Sequence, residues 1–464
     1  MCYYDTSMCS PSTFPVYDAW PDGLGKLRLA ELLGSLSHAL DATEGQPVGH
    51  AIRVTLIGCE IGQRLGVARE ELHDLYYVLL LKDLGCSSNA ARICEMYLTD
   101  DLEFKQAFKL VDGTTRSALR FLMRETARGS SAFRRARTLI SVIRDAGTIV
   151  DDLIETRCEQ GASIARGMGF STRVALGIHA LDEHWDGSGR PERLSGADIP
   201  LGARIALVAQ VADVFMTNGS ASDARAEIAG RRGTWFDPEI VDAAVSVLKD
   251  DVVLSQLADP KLAATVFAHP AAAETMRLDD DKLDRIIDGF ADVIDAKSPF
   301  TNNHSRRVAT YVDQLTDTLG FETTARRWMR RSALLHDIGK LGVPNRILDK
   351  PGRLDADERT IIEAHTLTGN IILRQIDLFS KVAHLAEAHH ERLDGKGYPH
   401  QLCAGQISRD VRVLTVADIF DALSAERPYK PALPPEKVRQ IMDEMDGSAI
   451  DSNCYAALRD TLLD

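Results

Sequence analysis

Apolar positions in this chain recur at helical spacing. After "TNNHS", residues Val308, Tyr311, Val312, Leu315 and Leu319 follow i, i+3, i+4, i+7 steps, so a helix is expected there. Asn302 or Asn303 is placed to cap its start and Gly320 to stop it. The stretch "RRWMRRSALLHDIG" predicts a second helix ending near Gly339. "DERTIIEAHTLTGNIIL" predicts a third, beginning after the Pro-Gly turn in "KPGRL". "RVLTVADIFDAL" fits a buried helix or a short strand, but no alternating series accompanies it, and the expected class is all-α.

The same pattern occurs twice. Adding 254 pairs Asp41 with Asp295, His50 with His304, Arg53 with Arg307, Leu65-Gly66 with Leu319-Gly320, and Asp83 and Gly85 with Asp337 and Gly339. Adding 208 pairs Gly161 with Gly369, Glu183 with Glu391, Asp186-Gly187 with Asp394-Gly395, Arg204 with Arg412 and Asp213 with Asp421. The chain is a tandem duplication whose first copy holds an insert within about residues 86–152. The expected organisation is a tail at 1–23, a first domain at 24–245, a linker at 246–281 that is itself partly helical, and a second domain at 282–464. Inside the insert, Arg116, Arg120, Arg124 and Arg128 recur at i, i+4 and are read as a solvated helical face, with a partner or ligand surface as the alternative.

Composition narrows the function. With Lys+Arg 54 against Asp+Glu 68 the net charge is −14, which argues against a protein that coats nucleic acid but leaves a small phosphorylated substrate open. Apolar runs such as "YYVLLL" are too short to span a bilayer, and "MCYYDTSMCSPST" has no signal-peptide character, so a cytoplasmic protein is expected. Eight scattered cysteines with no C-x-x-C pair predict reduced thiols and no zinc knuckle.

Chemistry concentrates in the second copy. His304, His336-Asp337, His365, His389-His390 and Asp418 fall at successive helix ends, and imidazoles with carboxylates suit first-row divalent ions. Adjacent histidines such as His389 and His390 point about 100° apart on a helix, so they face one ion only near a helix end. The turn-rich "ERLDGKGYP" supplies such an end. A lone helical histidine is usually packed or solvated; five such elements in order are not a chance pattern.

From about residue 284 to 464 the chain closely resembles the HD-GYP family of HD-domain metal-dependent phosphohydrolases. The segments that carry this are "HSRRV", "LLHDIGKLGVPNRILDKPGRL", "EAHTLTGNIIL", "HHERLDGKGYP" and "VADIFDALSAERPYK". The resemblance implies tandem all-helical domains, the C-terminal one of HD-GYP type. It implies two divalent ions, iron or manganese, and hydrolysis of cyclic di-GMP to pGpG or GMP. His304, His336, Asp337 and Asp418 would hold one ion, and Asp337 would bridge to a second held by His365, His389 and His390. Lys340 would act with Asp337 in catalysis, while Lys340, Asp421, Arg427 and Lys430 would contact the substrate. Phe300 stands where some members carry a glutamate for a third ion, which favours a binuclear site. A diguanylate cyclase domain is an expected partner of the Gly-Tyr-Pro loop, and a homodimer is expected.

The first copy lacks this set. Lys82 replaces His336, Arg157 replaces His365, Leu181-Asp182 replace His389-His390, Gln210 replaces Asp418 and Cys86 replaces Lys340. Gly219 and Ser222 fall where Arg427 and Lys430 would be. A cation in that cavity repels a divalent ion, so the first copy is expected to regulate or dimerise rather than hydrolyse, with an anion pocket formed by Lys82 and Arg157 as an alternative to simple structural decay. Two alternatives stand beside cyclic di-GMP hydrolysis: the same chemistry on cyclic GMP-AMP or another nucleotide, and a nucleotide-responsive scaffold without activity.

Overall fold

The computed structural model describes residues 19–111, 114–273, 278–426 and 432–463. Among them the chain is helical, with isolated bridges and no sheet. "RVLTVADIFDAL" resolves as helix, inside Arg409–Ser424.

The duplication extends to element boundaries. His50–Arg64 and Arg69–Leu81 match His304–Thr318 and Thr323–Leu335 residue for residue at the first offset. Thr172–His179 and Leu201–Asn218 start where Ser380–Ala388 and Arg409–Ser424 start at the second. Ala221–Gly230 instead matches Pro435–Met445 at an offset of 214, so the second copy carries six more residues before that helix. This corrects the pairing of Gly219 and Ser222 with Arg427 and Lys430. The segment that contains those two cations is the second copy's own addition, and both lie outside the described residues.

The chain divides into two compact units. One comprises 26–289 with 344–349, the other 19–25, 290–343 and 350–463, and the division falls inside the helix Asp280–Asp295. In the first unit the stretch expected as a linker packs down: Tyr76 donates its hydroxyl to the Val266 carbonyl, and His73 Nδ1 donates to that of Ala271. The insert forms Ala90–Tyr97, Asp101–Phe108, Thr115–Glu125 and the start of the 36-residue helix Ala132–Gly167. Ile93, Tyr97, Phe104, Phe121, Val142, Ile149 and Leu153 give it a small core of its own. Segment 344–349 joins this unit, with Asn345 N donating to Asp101 at 2.8 Å and Arg346 to Asp100 at 2.9 Å.

In the second unit Val308, Ala309, Val312 and Leu315 are buried on one stripe of His304–Thr318, as the periodicity predicts, each large apolar side chain contributing roughly 1.5–3 kcal/mol. Asn303 is the N-cap, but at φ 54° it makes no side-chain cap. Residues 19–23 of the expected tail pack here too: Trp20 stacks on Trp328, whose Nε1 donates to Pro21 O. Among the described residues five cysteines are free thiols, whereas Cys403 is disulfide-bonded, which departs from the expectation of reduced thiols.

Candidate metal centre

Helix ends deliver the imidazoles. Thr323–Leu335 ends so that His336 is its C-cap, and Ser380–Ala388 ends so that His389 is its C-cap, with His390 in the turn beyond. The third expected helix breaks at Ala364 into Ala356–Glu363 and His365–Leu373. At each site the ring takes a carbonyl three residues back: His336 Nδ1 to Ala333 O at 2.6 Å, His365 Nδ1 to Ile362 O at 2.5 Å and His389 Nδ1 to Ala386 O at 2.8 Å. Such a bond fixes the tautomer and leaves Nε2 with a lone pair pointing inward. Glycine at 339 is a steric requirement, because a Cβ there would lie 1.9 Å from the His365 carbonyl oxygen. That close approach seats the Asp337 turn on the His365 helix.

The donors fall into two groups, Asp337, His365, His389 and His390 in one and His304, His336 and Asp418 in the other. Asp337 faces both. Its Oδ2 is 3.4 Å from both His304 Nε2 and His336 Nε2, while its Oδ1 is 3.4 Å from His365 Nε2 and 3.7 Å from His389 Nε2. Asp418 adds Oδ1 at 3.3 Å from His304 Nε2 and Oδ2 at 3.8 Å from His390 Nδ1. His336 Nε2, His365 Nε2, His389 Nε2 and Asp337 Oδ1 are buried and have no hydrogen-bond partner. Each such atom costs about 1–3 kcal/mol if left unsatisfied, so these four buried donors fit bound cations.

Electrostatics agree with that fit around His365 and His390. At His304, by contrast, burial is overcome by the carboxylates of Asp337, Asp418 and Asp421, which raise the ring well above the ordinary imidazole value. Burial, followed by the Lys340 cation, takes His365 down to about 3, and burial takes His390 down to about 4, leaving both neutral as ligands must be. Asp337 is held well below the carboxylate range: burial opposes ionisation, but His336, Lys340 and His304 outweigh it. Lys340 Nζ donates to Asp337 Oδ2 at 2.6 Å and keeps 18% of its side chain exposed.

Asp421, expected as a substrate contact, lies elsewhere. It is fully buried, accepts from His304 Nδ1 at 2.7 Å and takes a two-pronged Arg307 at 2.6 and 2.9 Å. It therefore orients the His304 imidazole. Three supporting residues escaped sequence reasoning: Arg307, Thr415, which donates to His389 O at 2.8 Å, and Tyr398, whose ring lies 4.8 Å from that of His390.

The first copy has the same frame and different contents. His50 Nδ1 donates to Asp213 at 2.7 Å and Arg53 Nε at 2.6 Å, the distances of their counterparts. Between His50 and Asp83 sits Lys82, fully buried, its Nζ 3.1 Å from His50 Nε2 and ion-paired with Asp83. Arg157 pairs with Asp182, which stands at the position of His390. Both cations are paired with neighbouring carboxylates, which offset the positive charge that the expected anion pocket relied on.

An HD domain family matches residues 137–240 and again 289–454, once in each copy. The chain is 48% identical over 434 residues, 94% of each protein, to the 3'3'-cGAMP-specific phosphodiesterase 3 of Vibrio cholerae. It is 36% identical over 149 residues, 32% of this chain and 40% of the relative, to the cyclic di-GMP phosphodiesterase of Thermotoga maritima. A crystal structure of a cyclic GMP-AMP-specific phosphodiesterase from V. cholerae aligns at a TM-score of 0.63 and 43% identity, covering 94% of this chain and 97% of that one.

Proposed function

The chain belongs to the HD-GYP family of HD-domain phosphohydrolases, and from that membership we propose that it is a two-metal phosphodiesterase acting on 3'3'-cyclic GMP-AMP. One observation carries the chemistry: Asp337 divides its two carboxylate oxygens between two imidazole groups. When bound, two first-row ions, iron or manganese by the family resemblance, would supply an acidified water and neutralise charge on the phosphoryl oxygens.

The chain's own residues do the rest. His304, His336 and Asp418 would hold one ion, and His365, His389 and His390 the other, with Asp337 facing both. Asp421 and Arg307 keep the His304 ring in its tautomer. Lys340 carries a proton at the rim of the site, where it stabilises charge on the phosphate or protonates the departing sugar oxygen. In the net step water oxygen joins phosphorus, one P–O bond to sugar breaks, and its electron pair takes the proton. Arg427 and Lys430 are proposed to grip the phosphates.

Cyclic di-GMP was the first expectation from the motifs, and the relatives favour its alternative. The relative named for 3'3'-cGAMP is matched along 94% of this chain, the degenerate copy included, whereas the one named for cyclic di-GMP in Thermotoga is matched along 32%. Parallel turnover of the two cyclic dinucleotides tests this. A kcat/KM at least about tenfold higher for 3'3'-cyclic GMP-AMP supports it, and a preference for cyclic di-GMP refutes it. The family's partners, a diguanylate cyclase domain and a second copy of the chain, are carried forward as proposals, checked by pull-down and sedimentation.

A further inference from the structure

The insert of the first copy exposes apolar side chains where a solvated helix carries polar ones. On Ala132–Gly167, Phe133 is 80% exposed, Ile140 69% and Ile143 49%. Their spacing of seven and three puts them on one stripe, while Val142, Ile149 and Leu153 on the opposite side close the insert's core. The stripe therefore has no partner within its own unit.

Charge says what covers it. Residues 132–144 contain Arg134, Arg135, Arg137 and Arg144 and no acid. Cations in the first turns of a helix oppose its macrodipole, so this arrangement does not serve helix stability. The wider stretch 114–144 holds eight arginines and a single acid, Glu125, in a chain of net charge −14. Three of the acids that follow are already engaged: Asp145 with Arg144, Asp152 with Arg92, and Asp151 with Arg190 and Arg193. A second copy laid antiparallel would thus find the acids opposite Arg134 and Arg137 mostly taken.

We propose that this face docks on the anionic surface of a lipid bilayer. Phe133, Ile140 and Ile143 enter the boundary between headgroups and acyl chains, and Arg134 and Arg137 meet lipid phosphates beside them. Docking is peripheral, since no helix of the described residues is long and apolar enough to cross a membrane.

The test is flotation of the full chain with vesicles of phosphatidylcholine alone and of phosphatidylcholine with phosphatidylglycerol. The wild type floats with the anionic vesicles, is released as salt rises and stays behind with the neutral ones. Phe133→Ser/Ile140→Ser and Arg134→Glu/Arg137→Glu, all at exposed positions, keep the wild-type melting profile and turnover. The arginine pair lowers partitioning roughly 25-fold or more. No flotation, equal flotation on neutral vesicles, or wild-type flotation of either variant overturns the proposal. So does a shift of either variant to a smaller sedimenting species without any vesicle effect, which would assign the face to a second copy.

Discussion

Replacing Lys82 by methionine removes the ammonium that stands in the first copy where the second copy gathers imidazoles. Lys82 is buried against Asp83 and His50, and Asp83 is itself buried. Burial alone would raise the Asp83 pKa, but Lys82, then Lys109 and His50, hold it well below the usual carboxylate value. A carboxylate with a depressed folded-state pKa adds stability above its unfolded value near 3.9, and loses it as pH falls through the folded value. Lys82→Met leaves that carboxylate buried with its main counter-charge gone, a loss of about 3–5 kcal/mol. At roughly 2–4 °C per kcal/mol, the first unit's melting transition at neutral pH falls by roughly 6–20 °C. Calorimetry of the full chain reads this directly. Lys82→Met/Asp83→Asn recovers most of the loss, because no uncompensated charge remains, and turnover by the second copy persists in both variants. An unchanged transition in the single variant, or a double variant less stable than the single, would refute the reading of Lys82 as the first copy's built-in cation.

Three further outcomes follow from the geometry. Asp421→Asn loosens the orientation of His304 and strands Arg307, so metal affinity by titration calorimetry falls about 10–100-fold. Gly339→Ala and Gly85→Ala each drive a Cβ to within 1.9 Å of a carbonyl oxygen and cost about 3 kcal/mol, the upper end of overpacking; only the first also lowers metal content and turnover. Burial raises Asp41 to about 7, so the folded state binds the extra proton and stability declines as pH climbs from about 4 to 7. Asp41→Asn removes that slope, on the order of 4 kcal/mol across the window, and denaturant melts of both proteins at several pH values measure it.

The site was legible in the sequence where repeated spacing carried it. Six of the seven candidate ligands lie at helix ends or in the turns beside them, whereas Asp418, expected at such an end, lies inside the helix Arg409–Ser424. The offsets that expose the duplication also expose which copy lost them. What the sequence misassigned was Asp421, although the signal was present: Asp213, its counterpart, persists with His50 and Arg53 in a copy stripped of ligands, as a frame residue would. The anion pocket failed for a different reason: Lys82 turns to its own neighbour Asp83, and linear order does not reveal that Arg157 meets Asp182. The break at Ala364 was hidden because His365 itself takes the Ile362 carbonyl, an interaction no apolar periodicity reports.

Metal content and turnover of Asp337→Ala against wild type, both purified without oxygen, test the central claim most directly. Two ions per wild-type chain with hydrolysis of 3'3'-cyclic GMP-AMP, and loss of both in the variant, is the predicted result. Wild-type metal content or undiminished turnover in Asp337→Ala would contradict it.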